Sequence, residues 1–324
     1  MPIAQPTFPA TGRFETVTQE MVEGGLALRD HPARSATTID GWSSIFFGLP
    51  FFLIGCFIEL AALNVLPAHG RHAPEWVIGL VGSFFLLAGL FLLTHGAATL
   101  VRRARYRREA ALHPGQSWIA DYTWNARGAG YSEFHVMVGR ICFALFWSAF
   151  LVPFFWIGLR GVWPFLAGAL FFALIGVYIW YRAALSVVGL LRYGKSFLGY
   201  DGFPFFLGGQ LGAHLEAPRG LGEFEELTLT FRCVAERYLT GGAGPNRSSQ
   251  VACFELYKDA VTFSREQLAG YSGGVIPVQF AIPANQPQTN LIGTPPTYWE
   301  IEACGKCSGV NYQAYFLVPV YAAA

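Results

Sequence analysis

Between residues 42 and 185 the chain alternates long apolar runs with short polar breaks. Beyond residue 196 the apolar positions recur at every second residue instead. A bilayer core of about 30 Å is crossed by roughly twenty helical residues. The runs 42–66, 76–101, 138–159 and 162–185 each meet that length, predicting four transmembrane helices. Pro50, Pro153 and Pro164 are read as lying near helix ends, where a lost backbone hydrogen bond is easiest to replace. Trp42, Trp76, Trp156, Trp163 and Trp180 fall near the same ends, as anchoring at the membrane interface requires.

In the second half, Leu227, Leu229, Phe231 and Cys233 share one face of a strand, with Thr228, Thr230 and Arg232 on the other. Trp299, Ile301 and Ala303 alternate with Glu300 and Glu302, and Tyr312, Ala314, Phe316 and Val318 share a face near the end. Further strands are expected over 212–216, 251–257 and 275–282, separated by turn-rich stretches such as GGAGPNRSS and IPANQPQTN. About seven strands with no helix between them predict an antiparallel β-sandwich. The expected layout is a polar tail over 1–41, a four-helix membrane domain over 42–195 with a loop at 102–139, and the sandwich over 196–324.

Charge sets the orientation. Only 13% of the 324 residues are charged, against roughly 25% in a soluble domain. The net charge of +1 identifies no partner, and outside one membrane-flanking stretch there is no polybasic surface rich enough for nucleic acid. The loop after span two carries Arg102, Arg103, Arg105, Arg107 and Arg108, then Arg127 and Arg140; Arg182, Arg192 and Lys195 follow span four. The other side has only Arg71 and Arg160. This asymmetry predicts that both termini and the loop are cytoplasmic, in a bacterial inner membrane. Residues 1–40 have no early apolar core, so no signal peptide is expected. The arginines from 102 to 108 would meet anionic headgroups. The segment SWIADYTWNARG has two readings, lying along those headgroups or docking on the C-terminal domain.

Small residues suggest how the helices pack. Gly48 and Gly55 in span one, and Gly82, Gly89 and Gly96 in span two, recur every seven residues, nearly two helical turns. Such faces permit close backbone approach in lipid. Glu59 and His95 are the ionisable residues inside spans and thus intramembrane candidates. Their positions place them at different depths, which favours a protonated or water-touching carboxyl and a hydrogen-bonded imidazole over a direct relay.

The sharpest chemical motif is Cys304-Gly-Lys-Cys307, which could supply half of a tetrahedral metal site. The second pair would have to be Cys233 and Cys253, and Cys233 points inward like a core thiol. A redox CxxC belongs at a helix N-terminus in a βαβ unit, which this context lacks. His214 is the one histidine of the C-terminal region, and no serine sits in a nucleophile elbow. Glu223, Glu225 and Glu226 read as a solvated face. Neither catalysis nor a cofactor is expected.

The runs GGQLGAHLEAP, LTLTFRCVAE, GGVIPVQFAIPANQP and YWEIEACGKCSGVNYQAYFLVPV resemble the strand order of one arrestin-type lobe. Pro283 and Pro287, Trp299 to Ile301, and Phe316 to Pro319 stand where that lobe has its proline element and its closing strands. Together with HPGQSWIADYTWNARG and LLRYGKSFLGYDGFPFFLGGQLG, residues 100–321 are similar to a group of uncharacterised proteobacterial multi-pass membrane proteins. The resemblance implies an Ig- or arrestin-like sandwich and no catalytic residues. The expected role is a membrane-anchored scaffold, adaptor or accessory subunit with a protein partner. The alternative is a small-molecule or proton-handling device using Glu59 and His95.

Overall fold

The structure is a computed structural model that describes residues 26–28, 31–34, 41–65, 74–113, 115–216, 219, 221–241, 248–271, 274–293 and 295–323. Most of the N-terminal tail, Arg71 and most of the GGAGPNRSS turn lie outside the described residues. Four helices are long and apolar enough to cross a membrane: α1 (Gly41–Ala62), α2 (Glu75–Leu112), α4 (Phe134–Leu159) and α5 (Trp163–Tyr193). Their surfaces are largely uncovered by protein, as lipid-facing helices require. Helix α2 runs through the arginine segment because RRARYRREAAL is built of good helix formers. Short helices α3 (Ser117–Asp121) and α6 (Arg265–Ala269) complete the set.

Pro50 and Pro153 lie inside α1 and α4 rather than near their ends; only Pro164 occupies the first turn, in α5. The interior prolines are tolerated because a membrane helix can re-satisfy the freed carbonyl within the helix or through a neighbour.

Glycine lets α1 and α2 touch backbone to backbone. A methyl group at Gly89 would lie 2.3 Å from the Phe52 backbone nitrogen, and one at Gly55 would lie 2.3 Å from that of Leu86. Gly48 faces Gly89 and Leu92, Gly82 faces Ile58 and Glu59, and Gly96 faces Gly41 and Ser44. Helices α4 and α5 pair by the same device: Gly158 meets the Leu166 backbone and Gly176 meets Trp147. Ala169, Gly176 and Ala183 give α5 its own buried seven-residue repeat. The two hairpins meet each other through aromatic rings, Phe84 against Phe146 and Phe150, and Trp76 against Trp156.

The β-region is a sandwich. A five-stranded antiparallel sheet has the order β1-β7-β6-β9-β10: β1 (Leu26–Leu28), β6 (Glu226–Gly241), β7 (Ser248–Ser264), β9 (Thr297–Lys306) and β10 (Tyr312–Val318). A four-stranded sheet has the order β2-β3-β5-β8: β2 (Gly128–Ser132), β3 (Lys195–Tyr200), β5 (Gln210–Glu216) and β8 (Val275–Ala281). Short β4 (Phe205–Phe206) and β11 (Val320–Tyr321) pair in parallel. The inner faces interlock through Leu227, Leu229, Phe231, Trp299, Ile301 and Phe316 on one side, and Leu198, Leu211, Leu215, Ile276 and Phe280 on the other. The alternation read from the sequence sets these faces.

The sandwich is not built from 196–324 alone. Strand β1 comes from the N-terminal segment and β2 from the loop between spans two and three. The α1–α2 hairpin is inserted between β1 and β2. The α4–α5 hairpin is inserted between β2 and β3, which pair directly from Gly128↔Gly199 to Ser132↔Lys195. One residue, Glu133, joins β2 to α4, and one, Gly194, joins α5 to β3. Since these strands belong to one sandwich, the N-terminal strand, the loop and the C-terminal strands lie on the same side of the helices.

Candidate functional site

Where the helices meet the sandwich, a cleft of about 1670 Å³ opens. Its helical wall carries Arg140 and Arg182; its sandwich wall carries Tyr131, Lys195 and Arg219. The Arg140 guanidinium donates to the Ser186 hydroxyl, fixing α4 against α5 at this level. Glu133 also lines the cleft, with its carboxylate against Gly189, where an added methyl group would have to displace it. Burial raises the Glu133 carboxyl above its ordinary range, and Arg140 opposes that rise. The Tyr131 hydroxyl is pushed up to about 12 by burial and by Glu133. Both rises follow from acidic groups held out of bulk water, against the pull of the Arg140 guanidinium.

A buried charge network borders the cleft. Arg232 projects from the outer face of β6, where its Nε donates to Glu300 Oε1 (2.8 Å) and its Nη2 to Glu302 Oε2 (2.7 Å). Glu255 Oε2 lies 3.9 Å from Nη1 and has no hydrogen-bond partner among the described residues. Burial alone would depress the Arg232 guanidinium, but Glu300 and Glu302 hold it above its usual value. His31 Nε2 approaches Glu300 (3.2 Å). Burial, then Arg232, lowers His31 to about 4, so it is neutral at pH 7. The Arg34 backbone N–H donates to Glu236, and its guanidinium lies over the Tyr298 ring. Residues 31–34 therefore cover an outer sheet face that the alternation assigned to water.

Of the two readings of the 102–139 loop, docking is the one observed. Asp121 is buried, and its Oδ1 accepts from the backbone N–H groups of Leu291 (2.7 Å) and Ile292 (3.1 Å). Its Oδ2 accepts from the Tyr321 hydroxyl (2.9 Å), which in turn accepts from Trp124 Nε1 (3.0 Å). Trp118 packs on Phe206 and Tyr321. Removing the carboxylate would strand three donors. Asp121→Ala is therefore expected to destabilise the protein by about 2–3 kcal/mol, the range for hydrogen bonds to a charged group. Thermal unfolding in detergent would check this, and an unshifted midpoint would show that the loop is held by its aromatics alone.

The sequence candidates occupy separate places. Glu59 Oε1 accepts from the Ser83 hydroxyl inside the α1–α2 hairpin, whereas His95 stacks on Phe91. Ser83 and His95 are about 18 Å apart along α2 at 1.5 Å per residue, so Glu59 and His95 are not brought together. Arg102, Arg105, Arg107 and Arg108 are exposed on α2 beyond its apolar stretch, and Arg105 reaches the Thr123 hydroxyl (3.0 Å). Arg103 is half-buried. Cys304 and Cys307 do not form a turn with converging thiols. Cys304 lies in the outer row of β9 between Glu302 and Lys306, while Cys307 packs against the core and lies 2.8 Å from the Tyr193 hydroxyl. Burial pushes Cys233 up to about 12 and Cys253 up to about 11, so both remain protonated thiols. Among the described residues, no group of three or more His, Cys, Asp and Glu side chains could hold a metal. His214 pairs with Asp201 (3.1 Å) on an exposed face of the interior strand β5, between Gly199 and Pro277. Glu223 and Glu226 are tied to Arg192 (2.7 Å) and Lys306 (2.9 Å).

Reading the sequence missed Arg232, Asp121 and the cleft. A signal for the first was present, since pairing LTLTFRCV with TYWEIEA puts Arg232 directly opposite Glu300 on the outward face. The fold and its uncovered apolar helices define a multi-pass membrane protein carrying a β-sandwich. No protein-family model matches the chain, and no curated protein is significantly similar to it.

Proposed function

We propose that this protein is a non-catalytic accessory or adaptor subunit. It is held on the cytoplasmic face of a bacterial inner membrane and binds a protein partner through its sandwich, its lipid-facing helices, or both. The observation that carries this reading is the insertion of both membrane hairpins between consecutive strands of one sandwich. Single-residue joints at Glu133 and Gly194 leave no flexible tether, so the domain is presented in one orientation to whatever lies beside it. The similarity to one arrestin-type lobe supports the same role, because such a lobe offers edges and loops. Strand β8 is one such edge, with Val275 exposed and Pro277 limiting promiscuous pairing. The excess of arginine on the sandwich side supports cytoplasmic placement.

Two measurements test the proposal. Purification from native membranes is expected to retain a stoichiometric protein partner, identified by mass spectrometry. Recovery of the protein alone under mild detergents would count against the role. For orientation, Lys258→Cys on the exposed face of β7, in a background lacking the native cysteines, should react with a membrane-impermeant thiol reagent only after the cells are opened. Labelling in intact cells would reverse the topology while leaving the partner question open.

A further inference from the structure

The cleft where the sandwich meets α4 and α5 has a depth that can be worked out. The uncharged stretches 141–159 of α4 and 163–181 of α5 each rise about 28 Å at 1.5 Å per residue. That matches the hydrocarbon core of a bilayer, about 30 Å. Arg140 and Arg182, which end those stretches on the sandwich side, therefore stand together at the hydrocarbon boundary. At the opposite ends, Arg160 lies over the Trp156 ring, marking the other interface. From Arg140 to the start of α4 is a further rise of about 9 Å, the scale of a headgroup layer. The cleft occupies this layer, with its helical wall open toward lipid and its sandwich wall carrying Lys195 and Arg219.

Cations outnumber carboxylates in the cleft, whose lining carries Glu216 as well as Glu133 and Glu300. Among the described residues, none of Arg140, Arg182, Lys195 and Arg219 forms an ion pair. Arg140 is held by the Ser186 hydroxyl and Arg182 reaches only the Tyr178 hydroxyl (3.4 Å). Glu300, which also borders the cleft, is already committed to Arg232. Glu133 is half-buried on the same wall, and its carboxylate lies against Gly189 rather than within ion-pair distance of Arg140. Cations gathered in a partly enclosed space without carboxylate partners favour an anion with several acceptor oxygens, and guanidinium groups match phosphate in particular.

We propose that this cleft is a phosphate-binding site at headgroup depth, taking the phosphate of an anionic phospholipid or of a soluble phosphate compound between Arg140 and Arg182 on the helices and Lys195 and Arg219 on the sandwich. The site would tie bilayer composition to the seating of the sandwich, because its two walls belong to the two parts of the molecule. It stands independently of any protein partner.

The test uses the full-length protein purified in a neutral detergent, with phosphatidylglycerol, phosphatidylcholine and inorganic phosphate as probes. Native mass spectrometry and thermal stability give the readouts. Wild type is expected to retain phosphatidylglycerol over phosphatidylcholine and to be stabilised by it. Lys195→Gln combined with Arg219→Gln, both at exposed positions, should weaken that retention roughly twenty-five-fold, at about fivefold per cation near a membrane surface. Arg107→Gln combined with Arg108→Gln, exposed on α2 away from the cleft, should leave it unchanged. Stabilisation by inorganic phosphate that the cleft variant abolishes would identify a soluble phosphate compound as the source. Stabilisation by phosphatidylglycerol alone would identify the headgroup. Equal loss in the α2 variant would reduce the effect to general surface attraction and overturn the proposal, as would failure of every probe to distinguish wild type from the cleft variant.

Discussion

Arg232→Ala is expected to lower the stability of the sandwich by about 3–5 kcal/mol, the cost of removing one member of a buried ion network. The guanidinium is nearly inaccessible and bridges Glu300 and Glu302, with Glu255 close by. Deleting it leaves Glu300 and Glu302 on β9, and Glu255 on β7 across β6, without the guanidinium that served all three, and Glu300 is 1% exposed. Because domains of this kind are stable by only about 5–15 kcal/mol, the loss amounts to about a fifth of the total or more. For a domain of this size it corresponds to a fall of roughly 10 °C in unfolding temperature. Tryptophan fluorescence is a suitable monitor, since Trp299 is fully buried and stacked on Phe231 from the strand that carries Arg232. Lys at the same position should recover only part of the loss, because a point charge cannot serve Glu300 and Glu302 through separate, fixed nitrogens. Joint replacement of Arg232 by Met and of Glu255, Glu300 and Glu302 by Gln should restore much of it, since no carboxylate of the network is left without its counter-charge. An Arg232→Ala midpoint within a degree or two of wild type would mean that water reaches this network.

Gly89→Leu is expected to abolish the α1–α2 hairpin as a stable unit. Even the first added carbon would lie 2.3 Å from the Phe52 nitrogen and 2.6 Å from its Cα, both backbone atoms that cannot rotate away. The helices would have to separate along the contact that Gly48, Gly55, Gly82 and Gly96 create. In lipid no hydrophobic drive exists to pull them back together, so close packing is what joins them. The control is Gly168→Leu in α5, where nothing lies within 4 Å of the added carbon. Both changes replace glycine by leucine in an apolar helix, so any difference reports on the contact alone. Monodisperse yield and thermal stability in detergent should collapse for Gly89→Leu and hold for Gly168→Leu. Equal behaviour of the two would make the glycine seam incidental to assembly.

The local chemistry of the chain determined the parts of this protein. Span length and hydropathy are properties of a continuous segment, so the four helices were legible, although α2 runs on to Leu112 and α5 to Tyr193, past the ends of their apolar stretches at 101 and 185. The glycine repeats were legible because a seven-residue period keeps them on one helix face, although the matching Ala169, Gly176 and Ala183 series in α5 passed unread. Alternation also named the inward faces of β6, β9 and β10, since a strand buried on one side must repeat every second residue.

What needed the tertiary structure was the pairing of segments far apart in sequence. Whether residues 26–28 and 128–132 become strands is decided by β7 and β3, which offer them open edges; in isolation each is too short to fold. Asp121 is a capping residue only because Leu291 and Ile292, 170 and 171 residues onward, present free N–H groups to it. Arg232 and Glu300 occupy outward positions that alternation assigns to solvent, and it is the return of residues 31–34 over that face that removes the water. The cleft exists for the same reason. Arg140, Arg182, Lys195 and Arg219 lie on four different segments, and a pattern read along one segment carries no record of which others will stand beside it.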